Sequence, residues 1–431
     1  MRKEYFESTI LKKLRETEFF DDLDLAKTLA FKYIQSIDNR TVSPSKKAVE
    51  NLIHFNEELG NNSESAESIL EMLDMYGSPA TVAQTGGRYF GFVNGGIIPA
   101  ALSAKWLIDT WDQNAALYVM SPVTSKIEEV CENWIKQLLR LPNETAAGFV
   151  GGSSTATLCG LTAARNHLLN KLGYDVAKKG LFGAPEIKVV LGEQAHSTIY
   201  KALSIIGLGA ERIIKVPSDA QGRMRVDKLP ELDSSTLLIL QAGNVNSGSF
   251  DDFKNICPIA NRANAWIHID GAFGLWALAS DKMKPLTEGL DQADSWSVDA
   301  HKTLNAPYDN GIILCKHRDA LVSAMHMTGS YIIYSENRDG MLYTPEMSRR
   351  ARGIELWATL KALGKNGVSE LVDELHHKAK YFSELLDNNG LEILNDVVFN
   401  QVLVHYRDDE KTDQLLHKIQ NSGVCWLGGA K

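Results

Sequence analysis

The sequence predicts an α/β protein, with a mainly parallel sheet covered by helices on both faces. A helical segment precedes that domain and a small α+β region follows it. Three observations lead there. Short apolar runs of strand length recur between helical stretches: Ile187 to Leu191, Ile213 to Val216, Leu237 to Leu240, Trp266 to Ile269 and Gly311 to Leu314. None of these runs alternates with polar residues, as expected of strands buried on both faces. The residues with distinctive chemistry stand just beyond the ends of such runs, where open parallel sheets bind their ligands.

Taken in order, residues 1–79 read as helices with polar breaks. Leu23 to Ile37 is periodic, Thr41-Val42-Ser43-Pro44 is a stop, and Ser65 to Tyr76 carries Ile69, Met72 and Leu73 before Gly77. The segment has too few apolar positions for a core of its own, so it is expected to pack on something else, a partner subunit being the candidate. Residues 80–325 form the large domain. Within it Ile127, Val130, Cys131, Trp134 and Leu138 recur at helical spacing, and Leu141-Pro142 ends that helix. Residues 326–431 form the small region. Met327 to Leu342 lacks periodicity and reads as a long loop, a kind of segment that is often functional. A helix with Ile354, Trp357, Ala358 and Leu360 closes near Gly364, Leu371 to Leu386 is another helix, and Val397 to Val404 is expected as a strand. The α+β region reaches Lys431 with its last elements unfinished.

A chain of 431 residues can bury more than one core. Its net charge of -9 argues against nucleic acid or an anionic membrane as the main partner. The five cysteines are scattered and form no CxxC pair, which fits reduced thiols in a cytoplasmic setting and no zinc site. The first residues lack the apolar core of a signal peptide, and no apolar run approaches the roughly 20 residues of a membrane span.

Four stretches carry the chemistry. Gly151-Gly152-Ser153-Ser154-Thr155-Ala156-Thr157 follows Phe149-Val150 and opens a helix with Leu158, Leu161 and Leu168. Small residues let a backbone approach an anion, and free N–H groups at a helix start can hold a phosphate. Alone, the stretch also reads as a Ser/Thr cap after a glycine turn. His196 stands just past the run ending at Leu191, where its ring could stack on a flat ligand or be a satisfied surface histidine. Asp270 closes the run Trp266 to Ile269 and could simply cap the next turn. Lys302, in Asp299-Ala300-His301-Lys302, is alone an ordinary lysine, and His301 beside it could reach a phosphate or be packed. Jointly, a glycine/serine loop, a histidine, an aspartate and a lysine stand in that order at the ends of successive strand-like runs, for which packing alone gives no reason. This is the arrangement that holds pyridoxal phosphate. The lysine forms a Schiff base with the aldehyde, and the aspartate pairs with the pyridinium nitrogen and keeps it protonated, so that the ring can accept electrons.

Further stretches extend the pattern: Gly91-Phe92-Val93-Asn94-Gly95-Gly96, Trp111-Asp112-Gln113-Asn114, Ser121-Pro122 through Glu128, Ala195-His196-Ser197, His268-Ile269-Asp270-Gly271-Ala272 and Ser348-Arg349-Arg350-Ala351-Arg352. With them the chain, from residue 80 onward, resembles the group II pyridoxal-phosphate-dependent amino acid decarboxylases, which include aromatic amino acid, glutamate and diaminobutyrate decarboxylases. The resemblance implies an aspartate-aminotransferase-like fold (PLP fold type I) with a mainly parallel seven-stranded sheet, and a homodimer with its sites at the subunit interface. It implies Lys302 as the Schiff-base lysine, Asp270 on the ring nitrogen, Ala272 on one ring face and His196 stacked on the other. Ser153 and Ser154 would bind the phosphate, helped by His301. Asn244 and Asn246 fall where the family commonly has threonine near the cofactor. A mobile loop of the family carries a tyrosine that helps protonate the substrate carbon. Tyr331 fits that place, and Tyr334 is its rival.

The implied reaction is decarboxylation of a small-molecule L-amino acid to an amine and CO2. The pocket stretch Phe92-Val93-Asn94-Gly95 differs from the aromatic-specific and glutamate-specific versions, so no particular amino acid is named. Family members also carry a further strand with an arginine and a final helix, which do not occur before Lys431. An aminotransferase or other carbon–carbon lyase, and a non-catalytic cofactor-binding protein, stand as alternatives.

Overall fold

The structure is a computed structural model that describes residues 20–326, 334 and 336–430. The chain divides into two compact units, one made of residues up to 92 together with 413–429, the other of residues 93–412.

The larger unit is built on a seven-stranded sheet: β2 (Ala146–Val150), β3 (Lys188–Gly192), β4 (Ile214–Val216), β5 (Thr236–Gln241), β6 (Trp266–Asp270), β7 (Ser295–Asp299) and β8 (Gly311–Cys315). (β1 belongs to the smaller unit.) The spatial order is β2-β8-β7-β6-β5-β3-β4. The pairs from β4 through β7 are parallel, and β8 runs antiparallel to both of its neighbours. The expected mainly parallel sheet is therefore present, and the five apolar runs are five of its strands.

Double-sided burial explains why four of those runs do not alternate; the fifth, β4, is an edge strand with Ile214 and Lys215 exposed. In β5, Leu238 and Leu240 point into one core with Ile267 and Ile269 of β6, whereas Leu237 and Ile239 point into the other. The first core is closed by α4 (Pro122–Leu138), α7 (Phe253–Arg262) and the early part of α9 (Gly353–Asn388), through residues such as Ile135, Ile256 and Leu356. The second is closed by α5 (Ser153–Lys171), α6 (Ser197–Ile205) and α8 (Arg318–Met325), through Leu161, Leu203 and Leu321. Each fully buried aliphatic or aromatic side chain of this kind contributes roughly 1.5–3 kcal/mol.

Local chemistry sets the helix boundaries. Proline occupies the first turn of α3 (Pro99–Trp111) and of α4, where a missing N–H costs nothing. Within α9, Gly364 takes φ 64° and breaks the helix in two, as the glycine in the sequence led us to expect.

Two strands escaped the sequence reading. β2 was noticed only as Phe149-Val150, and β7 is half polar. Its serines are nonetheless buried and bonded. Ser295 Oγ lies 3.0 Å from Trp266 Nε1 and 2.8 Å from His268 Nδ1, and Thr157 Oγ1 of α5 donates to Ser297 Oγ at 2.9 Å. The strand expected over Val397 to Val404 is reduced to β10 (Val404–His405), paired with β9 (Glu392–Ile393). The reason is Asn395, whose side chain serves Gln401 O and Leu403 N in place of a strand ladder. Phe399 is buried there against Phe250 and Phe273.

The smaller unit contains α1 (Phe20–Ser36), α2 (Ala66–Met72) and a two-residue parallel pair, β1 (Tyr89–Phe90) with β11 (Trp426–Leu427). Trp426 stacks on Tyr89 with ring centroids 5.1 Å apart. Gly91 makes this possible, because a Cβ there would fall 1.9 Å from the Trp426 ring. Helix α1 buries none of its residues, and Leu23 and Ile34 are exposed, in keeping with a segment that has no core of its own.

Two predictions concern the large unit. A Cβ at Gly160 would lie 2.8 Å from His268 Cε1 and 2.9 Å from Ile313 Cδ1, so α5 sits as close to the sheet as glycine permits. Gly160→Ala is expected to lower the unfolding free energy by about 1–3 kcal/mol in urea titrations; an unchanged midpoint would contradict this packing. Arg349 is buried and grips Glu128, with Nη1 2.8 Å from Oε1 and Nη2 2.9 Å from Oε2. Among the described residues, Arg349→Met leaves that buried carboxylate with only Arg338, 3.3 Å away, and should cost about 3–5 kcal/mol. A loss below about 1 kcal/mol would show that the pair is not needed for stability.

Candidate active site

The chemistry-bearing residues gather where β6 and β7 end and α5 and α6 begin. Parallel strands flanked by helices place free strand ends, loop backbones and helix N-termini at one edge of the sheet.

Asp270 is the last residue of β6 and is buried. Its Oδ1 accepts from the backbone N–H of Ala272 at 3.2 Å. Burial pushes its pKa up, while the positive charges of Lys302 and His196 pull it down, and the net shift is upward. A buried carboxylate of this kind is suited to a cationic partner.

Asp299 is the last residue of β7 and only 2% exposed. Its carboxylate accepts from Ser153 N–H through Oδ1 and from Ser153 Oγ–H at 2.7 Å through Oδ2. Lys302 Nζ lies 3.1 Å from Oδ2, and His301 Nε2 lies 3.6 Å from Oδ1. The backbone is held as firmly. Asp299 N–H donates to Ala272 O at 2.9 Å, and Trp276 Nε1–H donates to Asp299 O at 2.9 Å.

The loop bearing Lys302 is clamped from several sides. Thr303 Oγ1 donates to Phe273 O at 2.8 Å. The stretch after Val93 lies directly on the loop: Gly95 N–H donates to His301 O, and a Cβ at Gly95 would fall 2.2 Å from Lys302 O. His301 Nδ1 accepts from Asn310 N–H at 3.1 Å, so the neutral ring carries its proton on Nε2, facing Asp299. Its ring stacks on Tyr308 at 4.2 Å. Burial lowers the His301 pKa, and Asp299 acts in the opposite direction.

His196 caps α6, with Nδ1 2.8 Å from Thr198 Oγ1 and accepting from Thr198 N–H at 3.3 Å. It shares with Asp270, Gln194, Gly222 and Asp251 a shallow cleft that opens to solvent. Ala272 is half-buried, and its backbone links Asp270 to Asp299. Ser154 is exposed in the first turn of α5. Asn244 is buried and works as a loop organiser: its Oδ1 accepts from Asn246 N–H and Ser247 N–H, and its Nδ2 donates to Gln194 Oε1 at 3.3 Å. Asn246 supplies its backbone N–H to the same turn. Tyr331 lies outside the described residues. Tyr334 is described and packs with Ala116, Leu117 and Met341, its ring 5.5 Å from that of His326.

The structure therefore brings together Lys302, His301 and Ser153 around Asp299, with Asp270 and His196 on the same edge. Asp299 itself was given no role in the sequence reading, although it stands in the lysine motif. The available signal was its position: it ends a strand beside the strand that Asp270 ends. Asn310 was also missed, and Gly95, named only within the pocket stretch, received no role of its own, since their parts are played by a backbone N–H and by the absence of a Cβ.

This donor set fits the phosphopyridine that the sequence resemblance implies. Gly152, just before the start of α5, lies against the same two groups: a Cβ there would stand 3.5 Å from Asp299 Oδ1 and His301 Cε1. Helix N–H groups, a hydroxyl and an imidazole N–H converge there, and a buried carboxylate waits at the neighbouring strand end.

Comparison with known proteins agrees. The pyridoxal-dependent decarboxylase conserved domain matches residues 50–407. The aromatic-L-amino-acid decarboxylase of Bacillus atrophaeus is 27% identical over 299 residues, which is 66% of this chain and 60% of that protein. The aspartate 1-decarboxylase of Aliivibrio fischeri is 27% identical over 271 residues, 59% of this chain and 49% of that protein. These matches thus span less than two thirds of either relative. Among solved structures, Oryza sativa TDC with PLP and tryptamine has a TM-score of 0.87 with this chain, covering 95% of it and 90% of its own, at 20% identity. That likeness is one of fold, and it bears out the expected α/β class. Since the conserved domain takes in most of the sequence, the chain belongs to the pyridoxal-dependent decarboxylase family.

Proposed function

We propose that this protein is a carboxy-lyase that removes the α-carboxylate of an L-amino acid as CO2 and releases the amine, with Lys302 as its Schiff-base lysine. The observation that carries the reading is the meeting of Lys302, Asp270, His196 and the start of α5 at one edge of the sheet. When bound, pyridoxal phosphate supplies a ring that can take up the electron pair left at the substrate Cα.

The chain's own residues do the rest. Asp270 holds a proton on the ring nitrogen, and its burial makes that cationic partner favourable. Ser153, Ser154 and the Nε2–H of His301 hold the phosphate. His196 would cover one face of the bound ring and Ala272 the other. Asn244 and Asn246 keep the loop beside Gln194 and the cleft in shape. Lys302 has its ammonium set against Asp299 and would hold the cofactor through its amine. Tyr331, or else Tyr334, returns the proton to Cα. The two relatives carry the names of an aromatic and an acidic amino acid decarboxylase, so they support the reaction class and leave the side chain of the substrate open.

A homodimer in the cytoplasm is part of this reading. Leu107, Val119, Met120 and Val123 are exposed on and after α3, an apolar surface suited to a partner subunit. Among the described residues, no helix is long and apolar enough to cross a membrane.

The test begins with CO2 release from purified protein supplied with pyridoxal phosphate and a panel of the common amino acids; one or a few substrates should release CO2 and yield the matching amine. Amino-group transfer to a keto acid without CO2 would overturn the reading. In Lys302→Ala the borohydride-reducible adduct should vanish, whereas an adduct persisting on another lysine would move the assignment. Asp270→Asn should still bind cofactor yet release CO2 about 100-fold more slowly or worse. Turnover equal to that of the parent protein would remove Asp270 from the ring nitrogen.

A further inference from the structure

Asp299 is unusual for a residue at a phosphate seat, because it is itself an anion. Every donor assigned above to the phosphate through Ser153 and His301 already faces its carboxylate. The seat is electrostatically set for negative charge: α5 is a 19-residue helix, and its start carries the positive end of the helix dipole. Without cofactor, Asp299 supplies that charge, and Lys302 balances it from 3.1 Å.

The carboxylate has little room to withdraw. Its residue is 2% exposed, and both its N–H and its C=O are tied, to Ala272 O and Trp276 Nε1. Nearby charges give limited help. From β6 comes Asp270, another anion. From the loop before β8 comes Asp309, which is already paired with Arg350 at 2.9 Å and Arg352 at 3.1 Å. From α5 come only the N–H and hydroxyl of Ser153. On the loop of Asp299 itself stand His301 and Lys302. Lys302 Nζ offers a single positive charge against Asp299, whereas a phosphate adds two negative charges to the same seat, whether or not that lysine stays free.

One proton resolves this conflict, and the geometry indicates where it goes. His301 Nε2 already bears a hydrogen, and Nδ1 is occupied as the acceptor for Asn310 N–H, so charging the ring breaks a buried hydrogen bond. The partners of Asp299 Oδ2 are the rotatable Ser153 hydroxyl and Lys302 ammonium, so protonation there breaks no backbone hydrogen bond, and it turns the carboxyl from a competitor of the phosphate into a hydrogen-bond donor toward it.

We infer that Asp299 is an internal anion that fills the phosphate seat in the cofactor-free protein, and that the loaded protein holds Asp299 as a neutral acid donating to the phosphate. The inference rests on the pyridoxal phosphate reading of the site. Its consequence is that cofactor loading takes up a proton, so affinity falls as pH rises.

The probe is pyridoxine 5'-phosphate, which lacks the aldehyde and leaves Lys302 chemically unchanged. Cofactor-free protein is titrated between pH 7.5 and 9, a range in which the phosphate (second pKa about 6) is already dianionic. Wild-type affinity should fall by about tenfold per pH unit, and calorimetry in two buffers of different ionisation heat should show about one proton taken up per ligand. Asp299→Asn mimics the neutral acid. It should bind at least about tenfold more tightly than wild type at the top of the range, with one fewer proton taken up. A flat wild-type profile, or parallel profiles in the two proteins, would overturn the inference. If that variant fails to fold, Asp299→Ser, which also removes the titratable carboxyl, takes its place in the comparison with wild type. Failure of both proteins to bind the probe, together with no borohydride adduct at Lys302, would sink the cofactor reading itself; a normal adduct with parallel profiles would sink only the role given to Asp299.

Discussion

The large unit turns on the junction between the start of α5 and the end of β7, made through the carboxylate of Asp299. A 19-residue helix ends in unpaired N–H groups, and a buried start must find acceptors for them. Asp299 provides both of its oxygens to Ser153, and in doing so fixes the height of the helix above the sheet. The same residue anchors the turn after β6 through Ala272 and receives Trp276 from beneath. Glycine makes the approach possible: a Cβ on Gly311 would fall 2.4 Å from the backbone of Gly152. Lys302 follows three residues later on a loop with almost no slack, so its ammonium is placed by the junction rather than by its own flexible side chain.

A sheet buried on both faces raises a second problem, because polar groups within it have no water to turn to. This protein answers by pairing most of them, although His268 Nε2 is left without a partner. Ser295 is shared by Trp266 and His268, and Ser297 by Thr157. Burial holds the pKa of His268 down at about 3, so it stays neutral and its presence between α5 and the sheet costs no buried charge. Ionic groups are treated likewise. Glu128 and Glu132 on α4 face Arg349 and Arg338, with Arg338 Nη1 2.7 Å from Glu132. These contacts bind the stretch before α9 to the first core, and they put the Ser348-to-Arg352 motif to structural use.

Much of the fold was legible. Five apolar runs became strands because burial on both faces removes polar alternation, and the break at Gly364 followed from the conformational freedom of glycine. β7 was not recognised, since Ser295, Ser297 and Asp299 read as polar until their partners on α5 and β6 are known. The expected strand near Val397 failed for the converse reason: its composition suits a strand, but the Asn395 side chain takes the backbone groups a ladder would use. The site was legible as a set of residue types in order. Lys302, Asp270 and His196 do share one edge of the sheet. Asn244 turned out to shape a loop through its own side-chain oxygen, which no pattern of residue types announces.

The sequence by itself determined the class of sheet, the order in which the site residues arrive and the chemistry they could share, because hydrophobic periodicity and side-chain type are properties of the chain alone. Tertiary structure decided which groups face one another. The two strand-ending aspartates look equivalent as residues. Folding sets Asp270 beside the cleft with His196, and turns Asp299 into the helix start and the lysine. Distances across strand ends depend on packing between elements far apart in the chain, down to the missing Cβ atoms of Gly95 and Gly311, and local sequence carries no record of such distances.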